Sequence, residues 1–361
     1  MQVTRLDITQ LRSLRAVSLA PAAGINVLIG DNGAGKTSVL EALHVMAYGR
    51  SFRGRVGDGL VGVGERALEI FVEWQQAVPQ RLRRAGLRHS GQSWEGRLDG
   101  EPVSQLGQLC AALAVVTFEP GSHALVNGGG EPRRRFMDWG LFHVEQTFLP
   151  YWRRYARALK QRNALLKARA GGSQLDSWDH ELAEAGEAIT GWRQHYLERL
   201  QPWLSETNAA LAPTLGEATL TFLPGWRRDE ISLADALLLS RDRDLATGFT
   251  SVGPHRADWR IRHTGLPQGA ALSRGQAKLS ALGCLLAQAE RHAADRGEWP
   301  IVVLDDLASE LDSSHQRRVL ERLIQSHAQV FLSGTDIPPT LRDVAADFTT
   351  FHVEHGDVRP G

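Results

Sequence analysis

The chain has 361 residues, enough for two or three domain cores at about 150 residues each. With 42% hydrophobic and 23% charged residues it has the composition of a globular protein, which excludes wholesale disorder and a fibrous repeat. Its 41 basic side chains balance 41 acidic ones, so any attraction to a polyanion has to come from local patches.

Cys110 and Cys284 lie in apolar stretches, which argues against a disulfide framework or a cysteine-based zinc site and fits a reducing cytoplasm. The opening MQVTRLDITQLRSLR lacks the apolar core of a signal peptide, and no segment approaches the ~20 consecutive apolar residues of a membrane span. A cytoplasmic protein without membrane partners is expected.

Residues 1–30 alternate as paired strands do, and the apolar run Ile25 to Ile29 halts at Gly30. After GDNGAGKTS, Val39, Leu40, Leu43 and Met46 recur at helical spacing, so this region reads as strand, loop, helix. Residues 60–118 are mostly strand-like and end in AALAVVTF. Helix takes over after Pro120. Trp152, Tyr155 and Leu159, then Trp178, Leu182, Ala185, Ile189, Trp192 and Tyr196, predict a helical hairpin over about 145–211, its aromatics serving interhelical packing. Residues 215–265 return to strand character, and a helix from Gly275 to Arg291, the strand IVVLDD and a last helix–strand pair complete the chain.

The chemistry starts at Gly30–Thr37, which fits the phosphate-loop pattern of two glycines, a lysine and a hydroxyl residue between strand and helix. Gly30, Gly33 and Gly35 permit backbone angles that turn successive N–H groups toward phosphate oxygens, and the following helix adds its positive dipole end. Asp31, Asn32, Ala34 and Ser38 complete the candidate cradle. Lys36 is positioned by this pattern to bridge the β- and γ-phosphates, and Thr37 to offer its hydroxyl to Mg²⁺. A phosphate loop also needs a carboxylate on a neighbouring strand. Asp305, at the end of Ile301–Leu304, is the Mg²⁺ candidate, and Asp306 would position or deprotonate the attacking water. None of the four lysines has aspartate two places later, so the guanine reader of GTPases is missing. ATP is the expected nucleotide. Leu272–Gln276 (LSRGQ) opens a helix, where Ser273 either caps the helix or presents its hydroxyl and the helix dipole to a phosphate.

LSRGQ resembles the signature of ABC-type ATPases, and Ser309–Asp312 (SELD) resembles their D-loop. The resemblance implies an ATP-dependent homodimer in which Ser273, Gly275 and Gln276 act in trans on nucleotide held by the partner's phosphate loop, and Asp312 couples the two sites. Lys36, Ser273 and Asp306 are the implied catalytic residues. The 237-residue separation of Lys36 and Ser273 resembles the SMC/Rad50 branch, without room for its coiled-coil arms. GDNGAGKTSVLEAL, GRSFR, FEPGSHALVNGGGEPRRRFMD, GPHRAD, LSRGQ and LDDLASELD together resemble the RecF family of bacterial recombinational-repair ATPases over essentially the whole chain. Departures are Leu11-Arg12-Ser13-Leu14 for a Phe-Arg-Asn-Tyr block, Gly121 where an acidic residue usually follows Pro120, and Arg274 at the centre of the signature.

The implied fold is α/β, an ABC-type P-loop ATPase head of mixed sheet and flanking helices plus a mainly helical second lobe. Residues 1–118 and 296–361 would form the ATPase lobe, and 119–295 the second lobe with the hairpin and the signature helix. The implied function is a weak, DNA-stimulated ATPase of repair and replication. ATP-driven dimerisation would clamp single-stranded, gapped or junction DNA and slow hydrolysis release it, with RecO and RecR as partners, in support of RecA loading and the SOS response. An ABC transporter ATPase subunit, or a structural DNA-binding protein with a non-hydrolysing nucleotide site, are the alternatives. Residues 151–170 hold seven basic side chains and no acidic one, and Arg153, Arg157 and Lys160, flanked by Arg154 and Arg162, form the candidate DNA stripe. His255 and Arg256 stand in a Gly-Pro turn and either face nucleotide or DNA or are plain turn residues.

Overall fold

In the computed structural model, which describes residues 1–54, 59–90, 92–169, 172–267, 270–345 and 347–361, the opening alternation becomes an antiparallel hairpin. Its strands are β1 (Gln2–Leu11) and β2 (Leu14–Leu19). The apolar run is β3 (Ile25–Ile29), followed through the glycine loop by α1 (Lys36–Tyr48). Then come β4 (Leu68–Gln76), β5 (Arg81–His89), β6 (Trp94–Leu98) and β7 (Glu101–Val103), which extend the first hairpin into an antiparallel sheet of order β2-β1-β4-β5-β6-β7. The short α2 (Gly107–Ala112) leads to β8 (Val115–Phe118).

The chain then enters a second unit, formed by residues 123–209 and 213–271. This unit holds α3 (Ala124–Asn127), α4 (Gly130–Val144) and the expected hairpin, α5 (Phe148–Lys167) and all but the last two residues of α6 (Gly172–Leu211). No long coiled coil extends from them among the described residues. Phe142, Phe148, Tyr151, Trp152 and Trp192 meet edge to face, at centroid distances from 5.2 to 6.0 Å, as aromatic rings of an interhelical core do. The strands β9 (Ala218–Leu223) and β10 (Asp258–His263) pair antiparallel, with α7 (Leu233–Leu239) and α8 (Arg241–Thr247) between them in sequence.

The return to the first unit (residues 1–122, 210–212 and 272–361) brings α9 (Arg274–Arg296), β11 (Ile301–Leu304), α10 (Leu307–Glu310) and α11 (Ser313–Gln325). It ends with β12 (Val330–Gly334), α12 (Pro339–Val344), β13 (Thr349–Glu354) and β14 (Asp357–Pro360). Here the structure departs from the expected boundary. The signature helix α9 belongs to the first unit, because its Leu282 and Leu286 share a core with Val302, Leu304, Val319 and Leu332.

The central sheet has the order β14-β13-β3-β12-β11-β8, with β13, β3, β12, β11 and β8 mutually parallel. Near-continuous apolar strands are needed because both faces are covered. Leu28, Val303 and Phe331 point to a core with α1 and the antiparallel sheet, whereas Val27, Val302 and Val330 point to the core with α9 and α11. The phosphate loop and Asp305 therefore emerge at the C-terminal edge of the same sheet, where α/β folds place ligands.

Candidate functional site

The loop between β3 and α1 owes its shape to glycine. Gly30, Gly33 and Gly35 have φ of 152°, 83° and 120°. At Gly30 there is also no room: a Cβ would lie 2.1 Å from the Val353 carbonyl oxygen of β13. Gly356 N–H, in the β13–β14 turn, donates to Ala34 O at 3.0 Å and braces the loop from behind. The Lys36 ammonium folds over the loop and donates to the carbonyls of Gly30 (2.7 Å) and Asp31 (2.8 Å).

Tertiary pairing brings Asp305 to this loop. Thr37 Oγ1 donates to Asp305 Oδ1 at 3.0 Å across 268 residues of sequence. Ser333 Oγ donates to the same oxygen at 2.6 Å and accepts from Asp306 N–H at 2.9 Å. The parallel register of β11 and β12 pairs Leu304 with Leu332, so Asp305 and Ser333 are next in line on adjacent strands. Burial pushes the Asp305 carboxyl upward and Asp306 adds to this; the hydroxyls of Ser333 and Thr37, and the Arg53 charge, pull it back. The donors gathered here, a buried carboxylate and a hydroxyl, are the hard oxygens that suit Mg²⁺. A cation bound to them would relieve the desolvated charge, so the residues fit the metal.

Asp306 adopts the left-handed conformation (φ 56°), which Asp tolerates better than most residues. Ser309 of the D-loop donates its hydroxyl to Asp306 Oδ2 at 2.5 Å. Lys278 in the first turns of α9 pairs with Glu310 at 2.6 Å, tying the signature helix to the D-loop. Asp312 caps α11, accepting from the Ser314 hydroxyl at 2.7 Å and from the backbone of Ser314 and His315 at 3.0 and 3.1 Å, and these bonds, led by the hydroxyl, hold its carboxyl far below the usual range.

A cavity of about 460 Å³ is lined by Asn32, Gly33, Gly35, Lys36, Thr37, Ser38, Asp305 and Asp306 from the expected set. It is also lined by Arg12, Ser13, Arg53, Ser333 and Thr335. Arg12 donates through Nε and Nη2 to both oxygens of the buried Glu41 (3.0 and 2.8 Å), and Arg53 lies 3.8 Å from the same carboxylate. Ser51 also bonds Glu41. Sequence reading missed Ser333 and Glu41 as parts of the site. A hydroxyl ending an apolar strand and a lone acid inside an apolar helix were the signals present.

Ser273, Gly275, Gln276 and Asp312 do not line this cavity. Ser273 and Gln276 make a reciprocal capping box, with Gln276 N–H to Ser273 Oγ at 3.3 Å and Ser273 N–H to Gln276 Oε1 at 2.9 Å. Ser273 and Gly275 are exposed, and a Cβ on Gly275 would meet nothing within 4 Å.

The expected DNA stripe needs one correction and one reduction. Arg162 has no exposed surface: it lies between Asp179 (2.5 Å) and Asp244 (2.7 Å) and bonds Thr250 at 2.9 Å. A guanidinium so enclosed cannot meet a phosphate, so Arg162 is a core residue of the second unit. Arg154 is paired with Glu181 and Glu184, which cancel most of its field. Arg157 and Lys160 are exposed and Arg153 is half-buried. His255 faces neither ligand: Tyr155 and the Thr250 carbonyl hold its ring at 2.7 and 3.0 Å, and burial pushes it down to about 4.

A family model described as the RecF/RecN/SMC N-terminal domain matches residues 2–355. A protein of Stenotrophomonas maltophilia (strain R551-3) named DNA replication and repair protein RecF is 64% identical over 361 residues, covering 99% of each chain. One of the same name from Thioalkalivibrio sulfidiphilus (strain HL-EbGR7) is 38% identical over the whole of both chains. Among solved structures, "Structure of the recombination mediator protein RecF-ATP in RecFOR pathway" is similar with a TM-score of 0.88 at 25% identity, covering 100% of this chain and 97% of that one. A solved Smc head bound to the C-terminal winged-helix domain of ScpA shares the fold, with a TM-score of 0.59 at 14% identity over 100% and 97% of the two chains.

Proposed function

Because the chain belongs to the RecF family of DNA replication and repair proteins, within the RecF/RecN/SMC group, we propose that it is an ATP-gated DNA clamp. Two protomers close over ATP, and slow hydrolysis opens them. The observation that carries this reading is the Thr37–Asp305–Ser333–Asp306 chain of hydrogen bonds, which joins the glycine loop to the Asp306 backbone. Thr37 and Asp305 would hold Mg²⁺, which would supply charge stabilisation to the phosphates.

This chain's own residues do the rest. Lys36 leaves the carbonyls of Gly30 and Asp31 for the β- and γ-phosphate oxygens. Asp306 accepts a hydrogen bond from the attacking water and orients it, which requires its carboxylate to turn from Ser309. Ser273, Gly275 and Gln276 receive the γ-phosphate of the partner's nucleotide. Support for the trans arrangement comes from the open space at Gly275, since nothing among the described residues requires glycine there. Asp312, the last residue of the D-loop, then reports closure of one site to the other. A transporter subunit is disfavoured by the full-length match to RecF proteins.

Arg153, Arg157 and Lys160 provide the phosphate contacts to single-stranded, gapped or junction DNA, and binding weakens with salt because counterion release then gains less entropy. Work with RecO and RecR in the cytoplasm, in support of RecA loading and the SOS response, is the physiological reading that follows. It is supported by the RecFOR description of the similar solved structure. Sedimentation of wild type and Lys36→Met with ATP, with and without gapped duplex, tests the clamp. Only wild type should dimerise and retain DNA; equal behaviour of the two proteins refutes ATP gating.

A further inference from the structure

Phe249 follows Gly248, the left-handed C-cap of α8 (φ 77°), and 43% of its surface is exposed. It does not collapse inward because its neighbours are fixed. Thr250 N–H and its hydroxyl both donate to Asn163 Oδ1 of α5, at 2.8 and 2.7 Å. The Thr250 hydroxyl accepts from Arg162 and its carbonyl bonds the His255 ring. Ser251 N–H donates to Asp244 at 3.0 Å. The backbone under the ring is thus rigid, and a rigid exposed aromatic loses little entropy when a ligand covers it.

The surroundings are cationic. The Arg256 guanidinium sits 5.3 Å from the centre of the Phe249 ring. Lys167 runs alongside Gly248, with its Cγ 3.5 Å from where a Cβ would be. Lys160 precedes the tether Asn163 by one turn of the same helix face. The buried acids here, Asp179 and Asp244, are occupied by Arg162 and Arg241 and leave little field to repel an anion. A stacking face with a cation over it and lysines along the approach fits a strand whose bases are free and whose phosphates track beside them.

We propose that Phe249 and Arg256, with Lys160 and Lys167 alongside, form a stacking site for an unpaired base of single-stranded DNA. This rests on the DNA-binding reading above and goes beyond it in assigning a base contact. Duplex DNA keeps its bases stacked and gains only the phosphate contacts, so the site would favour the single-stranded part of a gapped substrate.

The test uses the full chain with ATP, a labelled oligothymidylate, a duplex of equal length and an oligonucleotide bearing one 2-aminopurine. Phe249→Ala should weaken single-strand binding about fivefold or more, leave duplex binding within about twofold, and abolish the 2-aminopurine quenching seen with wild type. Phe249→Trp should retain both. Equal single-strand binding by wild type and Phe249→Ala, equal losses on both DNAs, or a Phe249→Leu variant that matches wild type would overturn the stacking site while the DNA reading stands. A wild type that retains neither DNA at low salt overturns both.

Discussion

Ser333→Ala removes one oxygen at the junction of the two acidic residues. That oxygen donates to the Asp305 carboxylate at 2.6 Å and accepts from Asp306 N–H at 2.9 Å, in a position 1% exposed. A hydrogen bond to a charged group contributes about 1.5–3 kcal/mol and a neutral one about 1 kcal/mol, so roughly 3 kcal/mol is at stake. Part is lost as folding stability, because a buried N–H and a buried carboxylate lose a partner. If about 2 kcal/mol falls on the transition state, through a displaced Asp306 and a weaker metal ligand, kcat drops roughly thirtyfold. The lost donor also leaves the Asp305 carboxyl, already pushed upward by burial, with one fewer stabilising hydrogen bond. The assay is steady-state ATP hydrolysis across pH, with nucleotide affinity measured separately and expected to change less than about threefold, since the glycine loop is untouched. Wild-type turnover in a folded Ser333→Ala protein would refute the argument that this hydroxyl organises the site.

Asp306→Glu carries the carboxylate one methylene farther toward the water and should hydrolyse ATP severalfold faster in single turnover; an equal or slower rate counts against a short base as the cause of slow hydrolysis. Arg162→Ala leaves Asp244 buried without its cation and Asp179 with Arg241 alone, and should cost about 3–5 kcal/mol, read as a large loss in the denaturant midpoint; a stability equal to wild type would return Arg162 to the surface. Burial pushes His44 down to about 3, with Arg50 adding to it, and His255 down to about 4. Between pH 6.5 and those values the unfolded chain binds protons that the folded chain does not. Each histidine should therefore remove about 2 kcal/mol of stability by pH 5, the loss growing until the folded-state value is passed, and melting temperatures that stay level from pH 7.5 to 5 would contradict this.

The shape of the glycine loop was legible in one dimension because it is a local object: Gly30, Gly33 and Gly35 lie in one contiguous turn whose angles follow from residue type. The same holds for the capped start of α9 and for Asp305 at the end of an apolar strand. What tertiary structure decided was everything set by strand register and by what covers a helix face. Ser333 reaches Asp305 only because β12 lies parallel to β11 with Leu332 beside Leu304. Glu41 became the anchor of Arg12 and Arg53 only when β1 and the segment after α1 folded over that helix. Arg162 is the instructive error. It sits on the stripe of Tyr155, Ala158 and Leu166, all buried, so its spacing marked a core position, yet its charge suggested solvent. Side-chain type predicts exposure only while no partner is known; Asp179 and Asp244, from α6 and α8, reversed the balance by offering paired carboxylates in place of water.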